Sequence, residues 1–544
     1  MTEAHKNLLF LVACSVGLFL VSLLTRSLIP VDETRYTSVA WEMWLREDYL
    51  VPYLNGATYS HKPPLLFWLF MLGWQVFGVN EWWPRVIPLL FSLGSLYLVH
   101  LLARHVWPER DVHLYAPVIL LGFTIWSFFS TAVMFDMMLA FFVLLAIFGM
   151  VRALSGDGLN WWLLTGLAWG LGMLAKGPVI FVHTLPVLLL AKFWLDAERT
   201  VPTGKILKGA LSALAISVVI ILAWVIPAIL SPSGGWENYG RSLLLGQNIE
   251  RALKAPNDAL AWWYYLPVLP FLLFPWFYWG GVWKSLFCKR DRPLLGERGV
   301  RFALIWSVSV IIIFSLISGK KVHYLLPILP AIALLFGAAM DRSKVEAGRF
   351  SMLVVALMYV LIAIGVGYAA MMYPVDKRPY WIADISIWAW LPFILLAMAG
   401  VWLSRGNLLS QTRLITLQSM LVLALLHATI FIPAMQGYGL KDISLKVREL
   451  QDRGVTVAHI GKYQDEYHFL GRLEKSLALL HESEAPVWLA NHPDAYVISY
   501  RYIQCGPEVE PAEYMRLYRN GQCVTLRSSA QQKVYLQRLT DNQS

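Results

Sequence analysis

The stretch "NLLFLVACSVGLFLVSLLTRSLI" at residues 7–29 decides the fold, because it is apolar over almost its whole length. About 20 such residues in an α-helix cross the roughly 30 Å of hydrocarbon in a bilayer. The run is too long for the core of a signal peptide, and no small-residue cleavage site follows it. We therefore predict that it is retained as a membrane helix.

The rest of the chain has the composition of a membrane protein. Of 544 residues, 58% are hydrophobic and only 15% are charged. A soluble protein of this length would need far more charge to cover its surface. Further apolar runs lie at 83–103, 112–131, 133–152, 161–176, 178–195, 207–230, 265–284, 301–318, 324–340, 351–373, 385–403 and 413–434. The sequence predicts a polytopic α-helical membrane protein with about thirteen transmembrane helices.

Basic residues collect in alternate loops. If the N-terminus is cytoplasmic, most loop lysines and arginines also lie inside, as the positive-inside rule requires. This bias explains the net charge of +10 without a nucleic-acid partner. An odd number of spans places the chain from about residue 436 outside. We predict a transmembrane domain at 1–435 in the bacterial inner membrane and a small periplasmic α/β domain at 436–544.

The predicted outer domain shows helix and strand patterns. The run "DISLKVRELQDRG" at 442–454 predicts a helix with Gly454 as its C-terminal cap. The runs "VTVAHIG", "AYVISY", "QCVTL" and "KVYLQRL" predict strands. Cys505 and Cys523 pair if the region is extracytoplasmic, and a free pair of thiols is an equally good interpretation.

Two predicted outer loops, 30–82 and 231–264, are long for a transporter. The first contains "HKPPLLFWLFMLGWQVFG" at 61–78, which suits an amphipathic helix lying in the membrane interface. The second loop contains another candidate for such a helix.

Charged residues from distant segments reach the same predicted outer face. "DETRY" at 32–36 directly follows the first span, and the other charges are His61, Lys62, Asp136, Lys176, Lys320, Lys321 and His323. Ionisable residues at membrane depth are costly, so each is a functional hypothesis. Any one of them has about an even chance of being ordinary surface polarity, or a helix cap in the case of Asp32. The prediction therefore depends on the set.

Carboxylates beside lysines and an arginine suit transfer of a group from a lipid phosphate. Cations neutralise the charge on the leaving phosphate. A carboxylate acts as general base on an incoming hydroxyl or orients the acceptor. Tyr36, Tyr59 and Tyr324 supply phenol donors and surfaces on which sugars stack. The chain has no Gly-rich phosphate loop, and no nucleotide is available outside the inner membrane, so a lipid-linked donor is predicted.

At this point the chain resembles a known family. It is similar to the GT-C glycosyltransferases that use polyprenyl-phosphate sugars, most closely to the aminoarabinose transferase branch, which is related to protein O-mannosyltransferases. The motifs that carry the resemblance are "DETRY" at 32–36, "YSHKPP" at 59–64, the Asp136 segment, "LAKGP" at 174–178, "WWYYLP" at 262–267 and "GKKVHYLLP" at 319–327. They occur in the family order.

The resemblance implies roles for these residues. Asp32 is implied as the principal catalytic carboxylate and Asp136 as the second acid. The donor phosphate is then bound by Arg35, Lys62, Lys176 and Tyr324, with Lys320 as a weaker candidate because Lys321 could take its place. Tyr36, Tyr59 and His61 are expected to line the cavity. The resemblance also implies inversion at the anomeric carbon.

Two positions depart from the family pattern. His61 stands where aminoarabinose transferases have Glu, and Asn248 stands where that branch has a histidine. If those positions together hold a metal, both ligands are altered here. A metal at His61 and the aminoarabinose substrate itself are therefore left open.

The function expected from the sequence is sugar transfer at the periplasmic face. The sugar, 4-amino-4-deoxy-L-arabinose or another pentose or hexose, would move from undecaprenyl phosphate to lipid A or another envelope lipid or glycan. A protein O-mannosyltransferase-like enzyme is one alternative. A transporter is another, although it would place polar groups near the midplane of broken helices.

Overall fold

The computed structural model describes residues 2–196, 201–243, 260–288, 293–343, 348–371, 380–501, 505, 512–519 and 522–541. Helices make up most of the chain as far as Tyr438, and the strands of a single larger sheet follow. The predicted class, a polytopic helical membrane protein with a small C-terminal α/β region, is confirmed.

Eight helical segments among the described residues are long and apolar enough to cross a membrane. They are Glu3–Thr25, Trp83–Val106, Phe135–Leu154, Thr203–Leu230, Arg298–Leu316, Val322–Ser343, Arg349–Met371 and Leu408–Asp452. Four shorter apolar helices are Leu65–Phe77, Val112–Gly122, Val179–Leu189 and Leu391–Leu403. The remaining helices before the sheet include Asp32–Leu45, Thr124–Phe129, Asn160–Lys176, Ala191–Trp194, Trp236–Gly240, Tyr265–Leu272, Trp276–Tyr278, Gly280–Leu286, Leu294–Gly296 and Tyr380–Asp384.

The count of thirteen spans stays a prediction, because several predicted spans are divided. The run 265–284 forms three short helices, and Pro270 and Pro275 lie where the first ends and the second begins. Proline lacks the N–H that a helix interior needs, so it interrupts a run that hydrophobicity alone makes continuous. The run 112–131 is likewise broken at Phe123, whose backbone is extended.

The first outer loop is more ordered than its sequence suggested. It begins with the helix Asp32–Leu45, here called the loop helix, and continues into a hairpin that pairs Tyr53–Leu54 with Ala57–Thr58. Asn55 and Gly56 form the turn with positive φ at both residues, the preference of Asn-Gly hairpins. The predicted helix within 61–78 is confirmed as Leu65–Phe77.

The second predicted interfacial helix is described only in part. Trp236–Gly240 forms one π-helical turn. Residues 244–259, including Asn248, lie outside the described residues. The interfacial positions of both loops stay predictions.

The C-terminal region, defined here as residues 441–541, is built on a five-stranded mixed sheet. The strands lie in the order Ala478–Leu480, Val457–Ile460, Tyr496–Arg501, Gln522–Ser528 and Tyr514–Tyr518, with the first three parallel and the last two antiparallel. The predicted helix is confirmed as Lys441–Asp452, and Gly454 has the left-handed φ of +77° expected of a cap. Short helices at His468–Gly471 and Ala485–Asn491 lie between strands.

One predicted strand is wrong. The run "KVYLQRL" at 533–539 lies in the helix Ser529–Asp541. Its buried residues Ser529, Gln532 and Tyr535 recur every third position, which is the spacing of a helix face. Val534 and Leu536 are apolar residues two positions apart, which suggested a strand. The helix begins earlier, at Ser529, and its spacing includes residues before this run.

Cys505 and Cys523 form a disulfide, in agreement with the first of the two interpretations of these cysteines. Their Cα atoms are 5.8 Å apart, within the range usual for a disulfide. The bridge ties residue 505 to the strand Gln522–Ser528.

The C-terminal region packs directly on the first outer loop. Ser38 of the loop helix donates a hydrogen bond to the carbonyl of Asp465 at 2.7 Å, and the indole of Trp41 donates to the carbonyl of Leu473 at 2.8 Å. In the hairpin, the Asn55 amide N–H donates to the Asp465 carboxylate at 2.7 Å. These contacts join residues more than 400 positions apart.

Two carboxyl groups are buried together at this contact. Burial raises the pKa of Asp465 well above its usual range, and the charge of Glu42 adds to the shift. Burial likewise raises the pKa of Glu42, although Arg46 pairs with it at 2.7 Å. His468 Nδ1 lies 3.3 Å from Asp465, but burial lowers the pKa of this imidazole to about 4, so it stays neutral near pH 7.

Asp465→Asn is expected to stabilise the folded protein. A raised carboxyl pKa costs stability as the pH rises above the ordinary value of about 4. The amide oxygen can still accept the Asn55 N–H. We expect the melting temperature to rise by about 2–4 °C at pH 8 and by less at pH 5. Thermal unfolding of the purified variant at both pH values checks this, and an equal or opposite change at the two would contradict it.

Candidate active site

The loop helix presents Asp32, Arg35 and Tyr36 on one face, because residues three and four apart are neighbours on a helix. The Arg35 guanidinium pairs with the Asp32 carboxylate, and the Tyr36 hydroxyl donates to Asp32 Oδ1 at 3.3 Å. Burial and the nearby Asp32 charge raise the pKa of the Tyr36 phenol, so it remains a donor. The Asp32 side chain is itself 50% exposed and open to a reactant.

Glu33 points away from this face, into the protein. Its carboxylate lies 2.6 Å from Arg26 Nη1 and accepts the backbone N–H groups of Ile29 and Val133 at 2.7 and 2.8 Å. Burial works against the charged form, but the Arg26 guanidinium holds the pKa of Glu33 below its usual range. Glu33 therefore anchors the loop helix to the end of the first span and to the segment before Asp136.

Asp136 and Lys176 form a buried ion pair 2.6 Å apart. Asp136 lies in the first turn of the helix Phe135–Leu154, and Lys176 is the last residue of Asn160–Lys176. An acid at a helix N-terminus and a base at a C-terminus each complement the helix dipole. Because the two helices pack as a hairpin, their charged ends meet at the same membrane face.

Contacts join this pair to the first outer loop. Tyr36 packs edge-on against Phe135 at 4.8 Å between ring centroids, and Lys62 Nζ lies 5.8 Å from the same ring. Lys176 Nζ lies 5.3 Å from the ring of Tyr324. The fold thus brings the first outer loop together with the segments that carry Asp136, Lys176 and Tyr324.

The charges of the site act on one another across these segments. The Asp136 carboxylate interacts electrostatically with Lys62, Lys176 and His323. His323 interacts in turn with Asp32. The result is a cluster of two acids and two lysines, with Arg35 beside Asp32.

Tyr59 and His61 lie in the first outer loop, after the hairpin. Their rings stack at 5.0 Å, with Tyr59 buried and His61 exposed. Tyr59 also interacts electrostatically with Arg35. Among the described residues, no group of three or more His, Cys, Asp or Glu side chains could hold a metal ion. Asn248, the other altered position, lies outside those residues.

Lys320 makes different contacts. Its ammonium donates to the backbone carbonyls of Ile317 and Leu260 at 2.5 and 2.9 Å. Ile317 follows directly after the helix Arg298–Leu316, so the lysine charge lies at a helix C-terminus. These contacts do not connect Lys320 to the cluster of Asp32, Asp136, Lys62 and Lys176. Its suggested role in binding the donor phosphate stays a prediction.

One residue near the cluster was named from the sequence without a role, and another was missed. His323 stands beside Tyr324 in "GKKVHYLLP" and was counted among the outer-face charges. Gln464 comes from the C-terminal region, and its side-chain oxygen accepts a hydrogen bond from Arg35 Nη1. No periodicity or motif marks Gln464.

The described helical membrane fold is similar to that of the GT-C glycosyltransferases, and the comparisons support glycosyltransferase activity. Residues 61–225 match the family described as dolichyl-phosphate-mannose-protein mannosyltransferase. The chain is similar to the aminoarabinose transferase branch within that class, as its motifs predicted. The transporter considered from the sequence is not supported.

The relatives are named for transfer of an amino sugar. The chain is 29% identical over 435 residues to the undecaprenyl phosphate-α-4-amino-4-deoxy-L-arabinose arabinosyl transferase 2 of Pseudomonas fluorescens (strain Pf0-1), covering 76% of this chain and 75% of that protein. It is 28% identical over 405 residues to the corresponding transferase of Pseudomonas paraeruginosa (strain DSM 24068 / PA7), covering 73% and 70% of the two chains.

Solved structures share the fold. The apo crystal structure of ArnT from Cupriavidus metallidurans superposes with a TM-score of 0.76 at 18% identity, covering 97% of this chain and 99% of that one. The structure of the same protein bound to undecaprenyl phosphate gives 0.75 at 20% identity, covering 95% and 97%. At these identities the likeness concerns the fold.

Proposed function

We propose that this enzyme transfers a sugar from undecaprenyl phosphate to an acceptor at the outer face of the inner membrane. The sugar is 4-amino-4-deoxy-L-arabinose or another pentose or hexose, and the acceptor is lipid A or another envelope lipid or glycan. The observation that carries the proposal is the meeting of Asp32, Asp136 and Lys176 at the ends of separate helices, with Lys62 of the first outer loop beside Asp136. The names of the relatives support the donor.

The proposed reaction is a single displacement. The bond between the anomeric carbon and the phosphate oxygen breaks, and a bond from that carbon to the acceptor oxygen forms with inversion. Undecaprenyl phosphate leaves with the bonding electrons. Arg35, Lys62 and Lys176 stabilise the growing negative charge, and Tyr324 donates to the phosphate.

Asp32 acts on the acceptor in this proposal. With a hydroxyl acceptor it takes the proton, and with a phosphate acceptor, which is already ionised, it orients the nucleophile. Asp136 is ion-paired and buried, so it supports the reaction by fixing the ammonium of Lys176. Tyr36, Tyr59 and His61 line the space for the sugar.

A protein acceptor is the second candidate. The family matched by residues 61–225 is described by mannosyl transfer to protein, which favours this alternative for the acceptor but not for the donor sugar. Both candidates keep the same donor-side chemistry.

The test is a comparison of cells with and without the gene. Mass spectrometry of lipid A and total glycolipids is expected to show a pentose- or hexose-sized addition that disappears on deletion and returns with the wild-type gene. Intact-protein glycoproteomics of the same cells separates the protein-acceptor alternative. Unchanged glycolipids and glycoproteins would contradict the proposed function.

The C-terminus is expected to be periplasmic. A reporter that fluoresces only in the cytoplasm should remain dark after Ser544 and should glow after Arg349. The physical reason is the excess of basic residues in the loops predicted to be inside. Equal expression of both fusions on a denaturing gel is the control. A bright signal at Ser544 would contradict the predicted topology, and the cluster could then no longer be assigned to the outer face.

A further inference from the structure

The C-terminal region is hydrogen-bonded to the loop helix at Ser38, one turn from Arg35. Phe469 donates its backbone N–H to Ser38 Oγ at 3.0 Å, and the same hydroxyl donates to the Asp465 carbonyl at 2.7 Å. Phe469 also stacks on Trp74 at 5.1 Å, with 14° between the rings. Residues 465–469 are therefore fixed on the helix that carries the candidate catalytic acid.

Gln464 directly precedes residues 465–469, and its side chain contacts Arg35. Its side-chain oxygen accepts from Nη1 of Arg35, while Nη2 of the same guanidinium pairs with Asp32. The backbone N–H of Gln464 donates to the Glu466 carboxylate at 2.9 Å, which fixes the backbone from which the amide extends. The two terminal nitrogens of the Arg35 guanidinium thus contact Asp32 of the loop helix and Gln464 of the C-terminal region.

We propose that Gln464 is a positioning residue for the donor phosphate, acting through Arg35; this inference rests on the proposed function. A neutral amide oxygen orients a guanidinium without cancelling its charge, whereas a second carboxylate would neutralise it. Arg35 keeps its remaining N–H donors for a phosphate, which guanidinium binds well in fixed orientation. The C-terminal region therefore contributes to donor binding indirectly, by orienting Arg35.

The first test measures binding of undecaprenyl phosphate to the purified full-length protein. Gln464→Ala is expected to raise the dissociation constant about tenfold, the scale of one hydrogen bond to a charged group. Gln464→Glu is expected to weaken binding at least as much, because its carboxylate offsets the Arg35 charge. Gln451→Ala is the matched control, since Gln451 donates to the Lys475 carbonyl within the C-terminal region, away from Arg35.

The second test is a double-mutant cycle with Arg35→Ala. If Gln464 acts through Arg35, Gln464→Ala is expected to cause no further loss of binding in the Arg35→Ala background. Equal additional losses in both backgrounds, or a loss in Gln451→Ala as large as in Gln464→Ala, would show a structural role and overturn the inference. Wild-type binding of undecaprenyl phosphate with no effect of Gln464→Ala would also overturn it. Absence of binding by the wild type would instead overturn the proposed function.

Discussion

Asp32→Asn is expected to lower the rate of sugar transfer at least about 100-fold, the usual scale for a positioned acid–base group. Asparagine keeps the size and hydrogen-bonding shape of the side chain but removes its charge. The variant also loses the ion pair with Arg35, whose guanidinium keeps its contacts with Gln464 and Tyr36. Initial rates with the lipid-linked donor and a defined acceptor measure the loss.

The outcome distinguishes catalysis from helix capping. The helix begins after Val31, and no side chain caps its N-terminus, so Asp32 does not fill the capping role that its sequence position allowed. Its structural contributions are its contacts with Arg35 and Tyr36 and, as an acid in the first helical turn, about 0.3–1 kcal/mol. Wild-type transfer by Asp32→Asn would mean that the acid is structural and that the catalytic group lies elsewhere.

The neighbouring acid is a poor control for this experiment. Glu33, one position after Asp32, points about 100° away from it around the helix. Glu33 is buried on Arg26 and two backbone amides, so its replacement should destabilise the loop helix. Glu47→Gln is better matched, because Glu47 is exposed just beyond the other end of the helix. We expect its rate to stay within about twofold of wild type, as surface substitutions usually have small effects.

The sequence predicted the site best where the residues lie at the ends of membrane helices. The length of the apolar runs located the helices of Asp136 and Lys176, and the predicted topology placed both charged ends on one face. Their pairing needed the structure, because side-chain distance depends on how the helical hairpin packs. Hydropathy also did not predict that Pro270 and Pro275 divide the apolar run 265–284 into separate helices.

Contacts between the two regions of the chain had no signal in the sequence. Gln464 meets Arg35 across 429 positions, and Asp465 meets Asn55 across 410. Both lie in a short polar segment that follows no helix or strand period. Their positions depend on how the C-terminal sheet packs on the loop helix, which one sequence without partners for comparison does not determine.

Lys176→Met is expected to reduce kcat/KM for the lipid-linked donor about 100-fold, within the range for loss of one electrostatic donor in a preorganised site. Methionine keeps an apolar stem of similar length and removes the ammonium that would face the phosphate. Lys176→Arg is expected to retain part of the activity, because it keeps the charge with a different donor geometry. Rates at subsaturating donor give kcat/KM directly.

Lys176→Met alone could lose activity through instability, because Lys176 is paired with the buried Asp136. A double variant separates loss of stability from loss of catalysis. Removing Lys176 leaves the Asp136 carboxylate, whose side chain is 3% exposed, without its counterion, and breaking a buried pair costs about 3–5 kcal/mol. Lys176→Met/Asp136→Asn removes both charges and is expected to recover most of that stability in thermal unfolding. If Lys176 acts on the donor, the double variant remains as inactive as Lys176→Met. If the double variant instead regains wild-type transfer, Lys176 serves only to neutralise Asp136, and the phosphate must be bound by Arg35 and Lys62.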